Sequence, residues 1–395
     1  MKVLQVIPYF FPSFYFGGPV KVCYEISRKL KDRGHDVTVC TTDAFNATHR
    51  HQVANNREID VDGLRVFYFR NVSNLVAVKF NGYLPLQFRK WISRNLMKYD
   101  LVHIHEFFTY QGIITSLYCR RYRIPYVLSA HGSLSPVSRK SKELAKRFFL
   151  FCFRSILDNA SAILALTGKE RNHITALDPL LEKKIRILPN GLRLSEFEKA
   201  ERLNFRRKYN IPDGNKVILY LGRLEKIKGL DILIEAFALL CRDHQDLHLV
   251  LVGPDNGFER QAKRRVEECG ISQQVIFTGG LYEKDKVSAY VDSDVYILPS
   301  YSEGLPMTVL EACALGKPVI ITERCNLPEI SEYQAGIIIK PEVNDIQKAI
   351  LTLIDDPEKL QIMGENGQRL IKDKFTWDVI VPELEEIYRE VRKAA

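Results

Sequence analysis

Two glutamates, Glu303 and Glu311, lie eight residues apart in a segment that follows an apolar run. Pro306 between them is suited to the first turn of a helix, which would leave Glu303 on a loop and place Glu311 inside the helix. The free N–H groups at such a helix start, near Met307 and Thr308, favour an anion. Two hydroxyl-binding carboxylates around a phosphate-binding helix end suit a nucleotide-sugar. A glycosidase pair, which flanks one bond about 5–10 Å apart, fits this spacing less well.

A second segment combines cations with glycine. Arg223 and Lys228 follow Gly222, directly after an apolar run and before a helix predicted over residues 230–240. Two cations beside a helix N-terminus form a field that suits a diphosphate. The alternative, that both are solvated charges on a surface loop, stays open at this point.

Histidines lie at two further predicted strand ends. His103 and His105 share one face of a strand, because residues two apart in a strand point the same way. With no third ligand nearby, a structural role is favoured over a metal site. Glu106 follows the same strand, and His131 follows the next one, where a structural and a functional role are both open.

Two pairs of aspartates have a spacing that can hold Mg²⁺ against a sugar nucleotide. Asp60 and Asp62 are expected in a polar loop, and Asp292 and Asp294 in a helix-to-strand turn. We interpret neither pair as a metal site.

Short apolar runs alternate with helical segments along the chain, beginning with a strand, a helix over 19–33 and a second strand. Strands are predicted over 3–7, 36–41, 64–69, 101–105, 126–129, 162–166 and 185–188, and again over 217–221, 248–252, 275–278, 295–298 and 318–322. The turn at Pro189, Asn190 and Gly191 separates the two series. This pattern predicts an α/β protein of two Rossmann-like domains with parallel sheets, with ligands bound at the carboxyl ends of the strands in a cleft between them.

The composition of the chain is that of a globular protein. It has 395 residues, of which 46% are hydrophobic and 27% charged, which suggests two or three domains and argues against disorder. No run reaches the roughly 18 apolar residues that cross a bilayer, and the first residues are expected to form a buried strand rather than a signal peptide. The eight scattered cysteines favour a reduced cytoplasm, and the net charge of +9 favours anionic partners.

Taken together, these segments resemble the family 4 (group 1) retaining glycosyltransferases of the GT-B fold. The similarity covers nearly the whole chain and rests on Glu303 with Glu311 and on Gly222-Arg223 with Lys228-Gly229. It extends to Gly17-Gly18, His131-Gly132 and the Pro189-Asn190-Gly191 turn. One departure is Arg193, where the family often carries Asp.

The resemblance implies a role for each part of the chain. Residues 1–190 would bind the acceptor, 191–375 the nucleotide-sugar, and a helix within 376–395 would cross back to the first domain. The donor would be a UDP- or GDP-sugar, with no cofactor and no metal. The implied catalytic residues are His131, Glu303, Arg223 and Lys228, the donor-binding residues are Gly17, Gly18, Gly222, Thr278, Gly279, Gly280, Gly304, Leu305, Pro306, Met307, Thr308 and Glu311, and the acceptor-binding residues are His105 and Glu106.

Residues 138–154 interleave basic with bulky apolar side chains. Such a helix can lie on an anionic membrane, within reach of a glycan or polyprenyl-linked acceptor, or it can pack internally on the sheet. With this segment, the resemblance implies a retaining, metal-independent glycosyltransferase that moves a hexose or N-acetylhexosamine from a nucleotide-diphosphate sugar to a lipid-linked or surface-glycan acceptor. It would act in the cytoplasm, peripherally on the inner membrane face. The alternatives are a GT-B sugar-nucleotide enzyme of the epimerase type and a basic nucleic-acid binder, although no nucleic-acid motif is present and no such partner is expected.

Overall fold

In the computed structural model, the chain forms two compact units, Met1–Gly191 with Trp377–Ala395, and Leu192–Thr376. The structure describes residues 1–75, 77, 83–135, 140–197 and 205–394, with the side chains of Phe14 and of 140–146 left out. We call the two parts unit 1 and unit 2 and describe each by itself.

Unit 1 is built on a sheet of eight described strands. They are β1 (Lys2–Val6), β2 (Asp36–Thr42), β3 (Glu58–Val61), β4 (Leu64–Phe69), β5 (Leu101–His105), β6 (Tyr126–Ser129), β7 (Ala162–Ala165) and β8 (Ile185–Ile187). Their order is β3-β4-β2-β1-β5-β6-β7-β8, and every pair is parallel except β3 with β4. The helices are α1 (Gly18–Asp32), α2 (Phe88–Asn95), α3 (Tyr110–Tyr122), α4 (Lys140–Phe153), α5 (Ser155–Asp158) and α6 (Gly168–Leu177).

The hairpin of β3 and β4 corrects one prediction. Asp60 lies within strand β3, not in a polar loop, and Asp62 with Gly63 forms the turn. Both turn residues have positive φ, at 51° and 79°, which suits a tight hairpin whose twist matches the strands. The Asp60 carboxylate accepts the N–H of Gly63 at 2.9 Å, and Asp62 accepts a hydrogen bond from Tyr24. Both aspartates therefore stabilise the turn.

Unit 2 has a fully parallel sheet in the order β11-β10-β9-β12-β13-β14. This is the order of doubly wound nucleotide-binding folds, in which the crevice lies where the strand order reverses, here between β9 and β12. The strands are β9 (Lys216–Leu221), β10 (Leu247–Val252), β11 (Val275–Gly279), β12 (Val295–Leu298), β13 (Val319–Thr322) and β14 (Gly336–Ile339). The helices are α7 (Phe205–Lys208), α8 (Leu230–Leu240), α9 (Glu259–Glu268), α10 (Glu283–Val291), α11 (Met307–Ala314), α12 (Glu329–Glu332), α13 (Val343–Ile354) and α14 (Pro357–Lys374).

All twelve predicted strands are found to within one residue at each end. They are recognisable because strands covered on both faces are almost continuously apolar, and the residues of β10 and β12 are all buried. Strands β3 and β14 were not predicted.

The last helix, α15 (Trp377–Lys393), belongs to unit 1 and packs against α1. Its Glu385 is buried and accepts hydrogen bonds from Arg33 at 2.7 and 2.9 Å and from His35 at 3.0 Å. Gly191 leaves room for the return of the chain, since a Cβ there would lie 2.7 Å from the Trp377 ring. The C-terminal helix is thus fixed to the first unit by an ion pair and by close packing.

Helix α4 carries apolar side chains on two faces. Phe149 and Phe153 pack against the core, with Phe149 5.0 Å from Phe108 between ring centroids. Phe148 and Phe151 are 71% and 85% exposed. Part of the predicted 138–154 segment, residues 138 and 139, lies outside the described residues. Of the helices that the structure describes, none combines the length and the apolar character needed to cross a membrane.

Candidate active site

In unit 2, the loops that follow β9, β10 and β12 pack so closely that their backbones are in contact. A Cβ on Gly253 would lie 1.7 Å from the carbonyl oxygen of Gly222, and one on Gly229 would lie 2.0 Å from that of Pro299. Both glycines have positive φ, 152° and 71°, which other residues rarely adopt. Only glycine at these positions lets the strand-end loops pack together.

This packing brings Lys228 and Glu303 together. Nζ of Lys228 lies 2.7 Å from Oε1 of Glu303, and the two side chains are 17% and 10% exposed. The loops are fixed by backbone contacts, since the N–H of Tyr301 donates to the carbonyl of Ile227 at 2.8 Å and that of Glu303 to Arg324 at 3.1 Å. An ammonium has three donors and a carboxylate about four acceptor sites, so both groups keep capacity for a ligand.

Arg223 lies on the same strand-end loop as Lys228 but in a different environment. Its side chain is 60% exposed and its guanidinium is 3.4 Å from the carboxylate of Glu225. The buried Tyr220 hydroxyl donates to the Arg223 carbonyl at 2.8 Å and fixes the start of the loop. The backbone of Arg223 is therefore held while its side chain reaches into solvent.

Glu311 lies on α11 with both carboxylate oxygens in contact. Nζ of Lys286 is 2.8 Å from Oε1, and the Tyr290 hydroxyl is 3.1 Å from Oε2. Burial and the nearby Glu311 charge raise the pKa of Tyr290, so this phenol stays protonated as a donor. Sequence reasoning missed Lys286 and Tyr290; their spacing of four on one helix face was the only available signal.

The N-terminus of α11 lies between these two glutamates along the chain. Pro306 is the residue before the first helical turn, and its carbonyl accepts the N–H of Val309 at 3.1 Å. The N–H groups of Met307 and Thr308 lie too early in the helix to have an intrahelical acceptor. The buried Tyr296 hydroxyl lies 2.7 Å from Oγ1 of Thr308, which anchors the helix end to the sheet. Gly304 and Leu305 lie on the loop immediately before it.

The donor-binding candidates Thr278, Gly279 and Gly280 are also at a strand end. Thr278 and Gly279 are the last residues of β11, and Gly280 follows. Oγ1 of Thr278 donates to the carbonyl of Gly279 at 2.8 Å, and Gly279 has a φ of 72°. All of the donor-binding candidates in unit 2 therefore follow or end strands β9, β11 and β12.

Unit 1 brings three histidines into one stack. The ring of His105 is 4.1 Å from that of His103 and 5.2 Å from that of His131, between centroids. Nδ1 of His105 lies 2.9 Å from Nε2 of His131, and Nε2 of His105 lies 2.8 Å from Oε1 of Gln5. His105 is fully buried, so it contacts His131 and Gln5 rather than solvent.

His103 has the structural role predicted for it. It is fully buried, with Nδ1 2.6 Å from the hydroxyl of Tyr388 on α15 and Nε2 2.7 Å from Oγ of Ser129. Burial lowers the pKa of His103 to about 3 and that of His131 to about 4, and it lowers that of His105 well below its usual range. The stack is therefore neutral at physiological pH.

Glu106 lies next to this stack in a strained backbone conformation. Its φ is 70°, and that of His131 is 50°, both in the left-handed region that side chains rarely adopt. The Tyr9 hydroxyl donates to Oε1 of Glu106 at 2.7 Å. Burial raises the pKa of Glu106, although the hydrogen bond from Tyr9 partly offsets this. Such strain is concentrated at functional sites.

Gly17 and Gly18 lie at the start of helix α1. Gly17 has a φ of 84°, and a Cβ on Gly17 or on Gly18 would meet no atom within 4 Å. The backbone there is therefore open to a ligand.

The second aspartate pair has structural partners. Asp294 lies 3.2 Å from Arg206 and 3.5 Å from Lys216, and it accepts the N–H of Val217 at 2.8 Å. The carboxylate of Asp292 lies 3.4 Å from the N–H of Arg206. Among the described residues, no three His, Cys, Asp or Glu side chains converge as a metal-binding group.

Comparison with known proteins gives one consistent result. Residues 201–370 match the family model of glycosyl transferases group 1, and residues 16–196 match that of glycosyltransferase family 4. The chain is 24% identical over 404 residues to an uncharacterized glycosyltransferase of Methanocaldococcus jannaschii, covering 98% of both. It is 29% identical over 410 residues to a D-inositol 3-phosphate glycosyltransferase of Corynebacterium jeikeium, covering 96% of this chain and 93% of that protein.

Solved structures show the same fold. The Anabaena protein HepE in complex with UDP superposes with a TM-score of 0.75 at 19% identity, covering 99% of this chain and 100% of that one. The same protein in complex with UDP-glucose gives a TM-score of 0.72. The fold is GT-B, as the sequence predicted.

The neutral histidines generate a prediction about acid stability. In the unfolded chain His103 and His131 take up protons near pH 6.5, but in the folded chain only near pH 3 and 4. The unfolded state binds more protons in this window, so the free energy of unfolding falls as the pH falls, by about 1.4 kcal/mol per pH unit for each histidine. Both tryptophans, Trp91 and Trp377, lie in unit 1, so urea denaturation followed by their fluorescence reports on this unit.

We expect His103→Gln to flatten this pH dependence between pH 7 and 5, whatever its effect on stability at pH 7. The control His49→Gln, at an exposed position, should keep the wild-type slope. An unchanged slope in His103→Gln would show that His103 is protonated alike in both states.

Proposed function

This chain belongs to the group 1 glycosyltransferases of family 4, and from that premise we propose that it moves a hexose or N-acetylhexosamine from a nucleotide-diphosphate sugar to a lipid-linked or surface-glycan acceptor. The observation that carries the proposal is the partly buried Lys228–Glu303 pair at 2.7 Å, at strand ends of a parallel sheet. Unit 2 would bind the donor and unit 1 the acceptor.

Each group in unit 2 suits one part of a nucleotide-sugar. Glu303 accepts hydrogen bonds from sugar hydroxyls, and Glu311, oriented by Lys286 and Tyr290, accepts those of the ribose. The N–H groups at the start of α11 and the backbone of Gly222 suit the diphosphate. The Thr278–Gly280 segment suits the base.

In this proposal, Lys228 and Arg223 stabilise the charge on the leaving group in place of a metal ion. When the bond between the anomeric carbon and the phosphate oxygen breaks, negative charge develops on the nucleoside diphosphate. Lys228, Arg223 and the α11 dipole stabilise that charge most at this moment, which accelerates the reaction. We propose retention of configuration: the acceptor oxygen bonds to the anomeric carbon from the face that the diphosphate leaves, and the acceptor proton passes to a phosphate oxygen.

The donor is best assigned as a UDP-sugar, with a GDP-sugar as the alternative. This assignment is supported by HepE, which has the same fold and was solved with UDP and with UDP-glucose. Of the two residues predicted to bind the acceptor, Glu106 is partly exposed, whereas His105 is fully buried and contacts His131. One relative is named for D-inositol 3-phosphate, so a phosphorylated small acceptor is the competing class for the same assay.

We further propose that α4 contacts an anionic membrane. Phe148 and Phe151 are strongly exposed, and Arg147 and Arg154 flank them. Exposed rings beside cations suit the headgroup region of a bilayer. Since all eight cysteines are free, we place the reaction at the cytoplasmic face.

The donor site is tested by removing its ion pair. Lys228→Ala and Glu303→Ala should each lower kcat about 100- to 1000-fold, because each removes a group that acts on the reacting end of the donor. Removal of one partner of this partly buried pair also lowers stability, so each variant is assayed below its own melting temperature. The assay measures UDP release from UDP-sugars with and without acceptor.

The matched control is Lys226→Ala, two residues away and exposed, which should keep wild-type activity. Full activity in Lys228→Ala would contradict the site. Sugar conversion without any acceptor would indicate an epimerase instead.

Membrane contact is tested with vesicles of phosphatidylglycerol and phosphatidylcholine. The double substitution Phe148→Ser with Phe151→Ser should weaken vesicle binding about tenfold or more, because two rings no longer bury apolar area. Leu180→Ser, at a residue 80% exposed elsewhere in unit 1, is the control and should leave binding unchanged. Equal binding by the double variant would contradict the membrane role of α4.

A further inference from the structure

A chain of polar contacts runs across three neighbouring strands of unit 1 to His131. It starts at Gln5 on β1, passes through His105 at the end of β5, and ends at His131 just beyond β6. These strands are adjacent in the sheet, in the order β1-β5-β6. Gln5 and His105 are both fully buried. Burial of a glutamine in an apolar strand costs free energy unless it is hydrogen-bonded, and the contact with His105 offsets part of this cost.

The donor and the acceptor in each of these hydrogen bonds follow from the Gln5 oxygen. The Gln5 carbonyl oxygen can only accept, so the hydrogen of neutral His105 lies on Nε2, 2.8 Å away. Nδ1 of His105 then carries a lone pair and accepts from Nε2 of His131 at 2.9 Å. A neutral imidazole has one N–H, which leaves Nδ1 of His131 as an acceptor.

The Gln5 amide oxygen faces His105 at the 2.8 Å contact. The amide nitrogen is buried and forms no standard hydrogen bond. Burial raises the pKa of Tyr388, and an interaction with the Gln5 amide offsets part of this rise. Tyr388 in turn is 2.6 Å from Nδ1 of His103, which stacks on His105.

His131 is held in place from the other side as well. The carboxylate of Glu170 accepts the N–H of Gly132 at 2.7 Å and that of Leu166 at 2.8 Å. His131 is partly exposed, and its Nδ1 bonds to no residue that the structure describes. This nitrogen is the atom of the stack that remains for a ligand.

We propose that Gln5 is a positioning residue that, through His105, holds His131 with its hydrogen on Nε2, so that Nδ1 accepts a hydrogen bond from a sugar hydroxyl. The opposite tautomer would present an N–H there and would select for an acceptor atom on the substrate. The inference deepens the proposed function and depends on it only for the identity of the ligand.

The test is nuclear magnetic resonance of the full chain labelled with ¹⁵N-histidine. Among the nine histidines, His131 is assigned from the resonances missing in His131→Gln. At pH 7 we expect a protonated-type signal at Nε2 and an unprotonated-type signal at Nδ1. A hydrogen on Nδ1 in the wild-type protein would overturn the proposal. This measurement needs no substrate, so it stands or fails separately from the transfer activity.

A pair of matched variants tests the role of Gln5. Gln5→Met keeps the approximate volume but removes the acceptor, so His131 should become a mixture of tautomers and kcat should fall about tenfold. Gln111→Met removes another buried glutamine of unit 1 and should leave both unchanged. A wild-type tautomer signal in Gln5→Met would contradict the positioning role, even if activity fell.

Ligand addition to the labelled protein then identifies the source of the hydroxyl. Accepting a hydrogen bond shifts the Nδ1 resonance. A shift with UDP-glucose assigns the hydroxyl to the donor, and a shift with a glycan acceptor assigns it to the acceptor. No shift with either would overturn the role of Nδ1 as an acceptor.

Discussion

Parallel strand pairing is the constraint on which the candidate site of unit 2 depends. Because every strand of that sheet runs the same way, the loops that follow the strands leave from one edge. Lys228 and Glu303 are 75 positions apart in the chain, yet this arrangement places their charged atoms 2.7 Å apart. Gly229 and Gly253 make the approach possible, since neither position has room for a Cβ. The sheet and its glycines thus fix the geometry before any ligand arrives.

The two units differ in how they stabilise the buried polar groups at their strand ends. Unit 2 pairs its carboxylates with cations, Glu303 with Lys228 and Glu311 with Lys286, at a site where developing negative charge needs positive partners. Unit 1 keeps its strand-end histidines neutral, because burial lowers the pKa of each. A neutral histidine can accept or donate one directed hydrogen bond, so its tautomer becomes the property that neighbouring groups control.

Much of the fold could be predicted, because buried parallel strands are continuous apolar runs in the sequence. Strand β3 could not be found that way, since it is an edge strand with alternating exposure. Its signal in the sequence is the Asp62-Gly63 pair, which is typical of a hairpin turn. Strand β14 begins with Gly336, which weakens a strand pattern, and only its last residue is buried, unlike the predicted four-residue strands β6, β7, β12 and β13.

The site was predictable in its chain positions but not in its contacts. Spacing around Pro306 placed Glu303 on a loop and Glu311 in a helix, as the structure has them. The partners Lys286 and Tyr290 depend on how α10 packs, which a single sequence does not specify. Gln5 was detectable as a lone polar residue in an apolar strand, but its contact with His105 required the pairing of β1 with β5.

The most direct test of the donor site is titration calorimetry with UDP-, GDP-, ADP- and TDP-sugars, using the wild-type protein and Lys228→Met. The account predicts saturable binding of one class of nucleotide-sugar to the wild-type protein, weakened at least tenfold in Lys228→Met. Glu235→Gln, which removes a surface partner of Arg265, is the control and should bind like the wild type. No saturable binding of any nucleotide-sugar, or equal binding by Lys228→Met, would contradict the account.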